Sequence, residues 1–84
     1  MKGNENPAIK KIFCEILGVG ESAVTDETAY NSFPAWDSLK HLQMVATYET
    51  EFGIELDMDD IIAMENFKRV REIIGRNIDN SGLQ

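Results

Sequence analysis

Three residues at the start of the clearest predicted helix carry side chains that can take part in chemistry. Asp37, Ser38 and His41 are the residue types of a hydrolase triad, and His41 lies three positions after Ser38. No G-x-S-x-G turn accompanies them, no oxyanion hole is evident, and 84 residues leave little room for a substrate cleft. We therefore predict no catalytic residues and no enzyme activity.

Ser38 is suited to a second kind of chemistry, because its position favours negative charge. Asp37 is a strong N-cap residue type, which makes Ser38 the first residue of the predicted helix. Backbone N–H groups point outward there, and the helix dipole is positive. A phosphate ester on this hydroxyl would therefore be stabilised. A serine in a first helical turn is common, so this position alone identifies no function.

The helix predicted over residues 38–52 has two apolar faces. The wider face is the natural core side, and it holds Met44, Val45, Tyr48 and Phe52. The second face is confined to the first turns, and it holds Leu39, Leu42 and Ala46, with Glu49 continuing it as a charge. Either the preceding loop covers this second face through Phe33 or Trp36, or the face docks a partner that has an apolar groove and a basic rim.

The rest of the chain predicts helices joined by one long loop. Apolar residues at helical spacing mark the first and last helices, with Pro7 at the start of the first, Gly18 at its end and Asn66 before the last. Residues 18–37 show no sustained period and are predicted to form a loop, and a short helix is predicted over 58–64. These elements predict an all-α fold, a small four-helix bundle of three longer helices and one short helix, with the long loop between helices 1 and 2. We expect one domain over residues 1–84, with its core at about 7–78 and a disordered tail at 79–84.

Composition excludes several classes of partner. The formal net charge is −7, which argues against binding to nucleic acid or to anionic membranes. No run of 18 apolar residues predicts a membrane span, and the first residues lack the apolar centre of a signal peptide. The single cysteine rules out an internal disulfide. From these features we expect a monomer in the cytoplasm. We also expect its partners to be basic, because residues 49–65 hold seven acids and no Lys or Arg.

The remaining candidate ligands are better explained by structure. The acids that begin at Asp57 fail the calcium-loop pattern, since Ile61 and Ile62 occupy its fifth and sixth positions, and we predict no metal site. Cys14 lies between core positions of the first helix and is predicted to be buried. Core packing is likewise predicted for Met44, Met58 and Met64. His41 points to the core side, where we expect it to be partly buried and to line a cavity.

The sequence around Ser38 resembles the acyl carrier protein family. Asp37-Ser38-Leu39, at the end of a long loop and opening an amphipathic helix, is similar to the phosphopantetheine attachment motif of that family. The similarity runs through Leu42-Gln43-Met44-Val45, Tyr48-Glu49-Thr50-Glu51-Phe52-Gly53-Ile54-Glu55-Leu56 and Asp59-Asp60 to the closing helix, and Ile16-Leu17-Gly18-Val19 resembles the end of the family's first helix. It covers most of residues 9–78.

This resemblance implies a carrier rather than a catalyst. A phosphopantetheinyl transferase would move 4′-phosphopantetheine from coenzyme A onto Ser38, and the arm would hold an acyl group as a thioester for enzymes of fatty-acid, polyketide or specialised acyl biosynthesis. Asp37 would position the serine and the metal-bound substrate of the transferase, and Leu39 would adjoin the arm. Loading and downstream enzymes with basic docking surfaces would contact the family's recognition positions, which are here Leu39, Leu42, Gln43, Ala46 and Glu49.

Departures from the family pattern leave the cargo open. Lys40 and Gln43 stand where the fatty-acid type usually has acids, which favours a specialised set of partners. Ala35-Trp36 stands where peptidyl carriers usually have Gly-Gly. The alternatives are an aminoacyl or peptidyl carrier and an unmodified helical interaction module with a carrier-like fold.

Overall fold

The chain forms four α-helices in the computed structural model, which describes residues 6–30 and 33–81. The helices are α1 (Pro7–Leu17), α2 (Ser38–Phe52), α3 (Met58–Ala63) and α4 (Phe67–Ser81). This confirms the predicted bundle of three longer helices and one short helix. The loop between α1 and α2 contains a 3-10 turn at Glu21–Ala23. Helix α4 continues past the core boundary predicted at 78 as far as Ser81, and residues 82–84 of the predicted tail lie outside the described residues.

Polar caps and glycines set the helix ends. Each helix follows a residue whose side-chain oxygen accepts a backbone N–H of the first turn, and these residues are Asn6, Asp37, Asp57 and Asn66. Helices α1 and α2 end at Gly18 and Gly53, whose φ angles of 70° and 63° lie in the left-handed region. Glycine adopts this region without the steric cost of a Cβ, so both stops follow from the sequence.

An aromatic and aliphatic core joins α1, α2 and α4 to the long loop. Phe13 packs edge-on against Trp36, with ring centroids 5.0 Å apart, and lies 4.8 Å from Phe67. Between α1 and α2, the hydroxyl of Tyr48 donates a 2.7 Å hydrogen bond to the backbone carbonyl of Ile9. The other buried hydrophobic residues among those described are Ile12, Cys14, Leu17, Val24, Met44, Val45, Ile54, Leu56, Met64, Val70, Ile73 and Ile74.

The long loop is tied to the connection between α3 and α4. Ala29 and Asn66 form an isolated antiparallel bridge, and the N–H of Tyr30 donates to the carbonyl of Glu65 at 3.0 Å. Trp36, at the end of the loop, is 2% exposed. The loop therefore delivers residue 37 to the start of α2 from a fixed position.

The sulfur-containing residues separate into core and surface. Cys14 is buried as predicted; burial and the negative charge of Glu21 raise the pKa of its thiol, and Lys10 lowers it by a smaller amount. Met44 and Met64 are also buried, as predicted. The prediction for Met58 was wrong: it is 67% exposed, because it begins the short helix α3, none of whose residues is buried.

Candidate functional site

Ser38 is the first residue of α2, and its side chain is exposed. The preceding Asp37 has an extended backbone, with φ −106° and ψ −177°, and its Oδ1 accepts the N–H of Lys40 at 2.9 Å. The carbonyl of Asp37 accepts the N–H of His41 at 2.9 Å, which closes the first turn. Asp37 thus fixes both the direction of the helix and the place of the serine on its outer surface.

The surroundings of the Ser38 hydroxyl fit a phosphate ester. The N–H groups of Ser38 and Leu39 belong to the first turn, so they have no acceptor within the helix. The helix dipole adds positive potential at the same place. Within the described residues the hydroxyl makes no hydrogen bond, and nothing covers it. A phosphopantetheine arm on this oxygen would therefore displace no structural contact.

Ser38, Asp37 and His41 do not form a hydrolase triad. The Nδ1 of His41 accepts a hydrogen bond from the indole N–H of Trp36 at 2.9 Å, and its Nε2 lies 3.0 Å from the carbonyl of Ile61. Both ring nitrogens are thereby engaged away from the serine, and the carboxylate of Asp37 serves as a helix cap. This arrangement has no general base for Ser38.

The apolar stripe on α2 is open rather than covered. Leu39 is 63% exposed and Leu42 is 59% exposed, and Gln43 and Ala46 are exposed as well. Trp36 does not lie over this stripe, because its ring is buried against Phe13 in the core. Of the two explanations for the second apolar face, the structure excludes cover by Trp36.

Glu49 has a structural contact that the sequence analysis missed. Its side chain is half-buried, and its Oε2 accepts the N–H of Leu56 at 2.9 Å. The bond holds the extended link between α2 and α3 against the last turns of α2. Glu49 is therefore only partly available to a partner.

A groove opens beside the first turns of α2. It has a volume of about 470 Å³, and its walls come from the long loop, α2, α3 and the connection to α4. The lining residues are Ala29, Tyr30, His41, Ile61, Ile62, Met64, Glu65 and Asn66. His41 is half-buried there, in agreement with its predicted position.

Two exposed apolar residues on α3 were not predicted as part of the site. Ile62 is 68% exposed and borders the groove, and Met58 is 67% exposed. The short segment between Asp57 and Met64 gave too few residues for a reliable helical face. The exposure of Ile62 would have required knowledge of how α3 packs.

In residues 6–30 and 33–81, no group of three or more His, Cys, Asp or Glu side chains is placed to hold a metal ion. Over the same residues, no helix is both long and apolar enough to cross a membrane.

Comparison with known proteins identifies the family. The phosphopantetheine attachment site family matches residues 7–76. The fold is similar to the solution NMR structure of a holo acyl carrier protein from Geobacter metallireducens, with a TM-score of 0.80 and 21% sequence identity over 92% of this chain and 88% of that one. The chain therefore belongs to the phosphopantetheine attachment family, and it is a non-enzymatic carrier protein that bears a covalent 4′-phosphopantetheine group.

Proposed function

We propose that Ser38 is the attachment residue and that the protein is an acyl carrier. The observation that carries this proposal is the exposed, unbonded hydroxyl of Ser38 at a capped helix N-terminus. In the loading step, the Ser38 oxygen forms a bond to the phosphorus that bears the pantetheine arm in coenzyme A. The phosphoanhydride bond breaks, adenosine 3′,5′-bisphosphate leaves, and the hydroxyl proton passes to a base on the transferase.

The residues around Ser38 have separate tasks in the loaded protein. The N–H groups of Ser38 and Leu39 face the phosphate and stabilise its charge. The attached group supplies a terminal thiol on which acyl groups are carried as thioesters. The apolar walls of the groove, formed by Tyr30, Ile61 and Ile62, support an acyl cargo from fatty-acid, polyketide or specialised acyl biosynthesis.

The open stripe on α2 is our proposed docking surface, which we define as Leu39, Leu42, Gln43, Ala46 and Glu49. Its exposed leucines support contact with an apolar groove on partner enzymes, and the acids that follow support a basic rim on those partners. A single buried thiol and the net charge of −7 support action in the cytoplasm.

The attachment residue is tested by loading the apo protein in vitro. The protein is incubated with coenzyme A, magnesium and a phosphopantetheinyl transferase of broad specificity, and intact-mass spectrometry measures the product. Wild type should gain one arm, and Ser38→Ala should gain none. Ser22→Ala is the matched control, because Ser22 is also exposed but lies in the 3-10 turn of the loop, and it should load like wild type. An arm on folded Ser38→Ala, or none on folded wild type with several transferases, would refute the proposal.

A further inference from the structure

The hydrogen bonds of His41 fix the protonation state of its ring. An indole N–H only donates, so the Nδ1 that faces Trp36 must accept. A backbone carbonyl only accepts, so the Nε2 that faces Ile61 must carry the proton. His41 is therefore neutral, in the Nε2–H tautomer, whenever both bonds are made.

These two bonds join the three segments that surround Ser38. Trp36 ends the long loop and immediately precedes Asp37, His41 lies one turn into α2, and Ile61 lies in the last turn of α3. Helix α3 has only six residues and none of them is fully buried, so the bond to Ile61 adds to a small set of contacts that hold it, which includes the ion pair of Asp60 with Arg76. The carbonyl of Ile61 is one of the four that a helix leaves unpaired at its end, and His41 supplies its donor.

Aromatic contacts make the same junction rigid. The ring of His41 stacks on Trp36 with a centroid distance of 5.8 Å and an interplanar angle of 25°. Tyr30 packs edge-on against both rings, at 5.6 Å from His41 and 5.9 Å from Trp36. Trp36 is nearly fully buried, so its ring has little room to move independently of its backbone. A change at His41 that displaces this ring therefore also displaces the backbone that leads to Ser38.

We propose that His41 is a positioning residue whose neutral ring locks the segment from Trp36 to Ser38 onto α3, and whose protonation releases it. A proton on Nδ1 would face the indole N–H of Trp36, which places two donors together and breaks that bond. The release loosens the loop, the groove and the start of α2 together. The part of this proposal that concerns loading rests on Ser38 as the attachment residue.

The charged groups around the ring do not remove this conflict. Glu65 borders the same groove, and Lys40 is the neighbour of His41 on α2. On α3, Asp60 is paired with Arg76 of α4 at 2.9 Å. On the loop, Tyr30 presents its ring edge to His41. None of these groups turns the indole N–H into an acceptor, so protonation breaks the Trp36 bond in every case.

The lock can be measured directly, because the chain has one tryptophan and one histidine. Apo wild type is titrated from about pH 8 to pH 5, the range in which histidine changes charge. NMR follows the indole N–H of Trp36, and fluorescence follows its ring. We expect the indole resonance to shift and its exchange with solvent to accelerate as the His41 ring titrates. An indole signal that stays unchanged while the His41 ring changes charge would contradict the proposed loss of the Trp36–His41 hydrogen bond.

His41→Gln is the matched variant for the loading reaction. The amide oxygen of glutamine accepts, its nitrogen donates, and neither titrates in this range, so the lock should persist in acid. Dividing the kcat/KM for arm transfer to wild type by that for His41→Gln at each pH cancels the pH dependence of the transferase. The ratio should fall about fivefold in acid, as the loss of one net hydrogen bond implies.

Two results separate this proposal from the assignment of Ser38. A ratio that stays constant from neutral to acid pH overturns the positioning role, and folded His41→Leu that loads like wild type at neutral pH does the same. The indole titration uses the apo protein, so its outcome stands even if Ser38→Ala were still modified. If His41→Gln fails to fold, the wild-type indole titration alone decides the lock.

Discussion

Tyr48→Phe isolates the hydrogen bond that joins α1 to α2. Tyr48 is fully buried, and its hydroxyl oxygen lies 2.7 Å from the carbonyl oxygen of Ile9. The substitution removes the donor, while the Ile9 carbonyl stays in the hydrogen-bond ladder of α1 and is not left unpaired. The expected loss of stability is that of one net hydrogen bond, about 1 kcal/mol, which lowers Tm by about 4–8 °C in a domain of this size.

The same substitution should change how stability depends on alkaline pH. Burial, with a smaller contribution from Cys14, raises the pKa of Tyr48 well above its ordinary value. The unfolded chain ionises this tyrosine near pH ~10, whereas the folded chain keeps it neutral. The stability contribution is therefore complete below about pH 10 and falls above it by up to about 1.4 kcal/mol per pH unit. Phenylalanine cannot ionise, so the variant does not lose stability in this way. The difference in free energy of unfolding between wild type and Tyr48→Phe should therefore shrink above this pH and change sign near about pH 11.

Urea unfolding of wild type and variant at pH 7 and across the alkaline range measures both effects. Tyr30→Phe is the control, because Tyr30 is only half-buried and no hydrogen bond of its hydroxyl is found among the described residues. The free energy of unfolding of Tyr30→Phe should stay within about 0.5 kcal/mol of that of wild type at pH 7, and it should fall in alkali as that of wild type does. Equal losses for the two variants at pH 7 would refute the role of the Ile9 bond. A Tyr48→Phe deficit that stays constant above pH 10 would refute the ionisation argument.

Three further substitutions test the start, face and end of α2. Leu42→Arg should slow transfer from the cognate loading enzyme at least tenfold with unchanged Tm, whereas Ala23→Arg, at an exposed position in the 3-10 turn of the loop, should not. Equal rates for the two variants would contradict the docking surface. Asp37→Ala should cost about 1 kcal/mol in urea unfolding, because the N–H of Lys40 loses its cap. Gly53→Ala should lower the free energy of unfolding by about 1 kcal/mol through its positive φ alone, since no atom lies within 4 Å of the added Cβ. Gly20→Ala is the control, because its φ of −79° suits alanine, and it should leave stability unchanged. Equal Tm values for the two variants in thermal melts would contradict this prediction.

Local signals explain why the start of α2 was predictable. Asp37 as a cap, the amphipathic pattern that follows and Gly53 as a stop all act within a few residues, so their outcome needs no knowledge of the fold. The two apolar faces of α2 also came from spacing alone. What spacing did not decide was whether the loop covers the second face, and that depended on Trp36 packing into the core.

Contacts between distant segments account for what the sequence did not reveal. The carboxylate of Glu49 binds the N–H of Leu56 beyond the end of its own helix, and His41 reaches a carbonyl twenty residues away. Each depends on how the chain turns back after α2, which residue types alone do not specify. The exposure of Met58 has the same origin, because a six-residue helix has no apolar face wide enough to determine its packing.

The acidic run of residues 49–65 divides into structural and free charge. Three of its seven acids are engaged: Glu49 holds the N–H of Leu56, Asp57 caps α3, and Asp60 pairs with Arg76. The other four are exposed and form no ion pair among the described residues, and they are Glu51, Glu55, Asp59 and Glu65. Exposed charges of this kind act mainly on the rate of encounter and are screened by salt. In the docking that we propose on α2, these acids would steer basic partners toward the helix, and the apolar contacts of Leu39 and Leu42 would determine how long those partners stay bound.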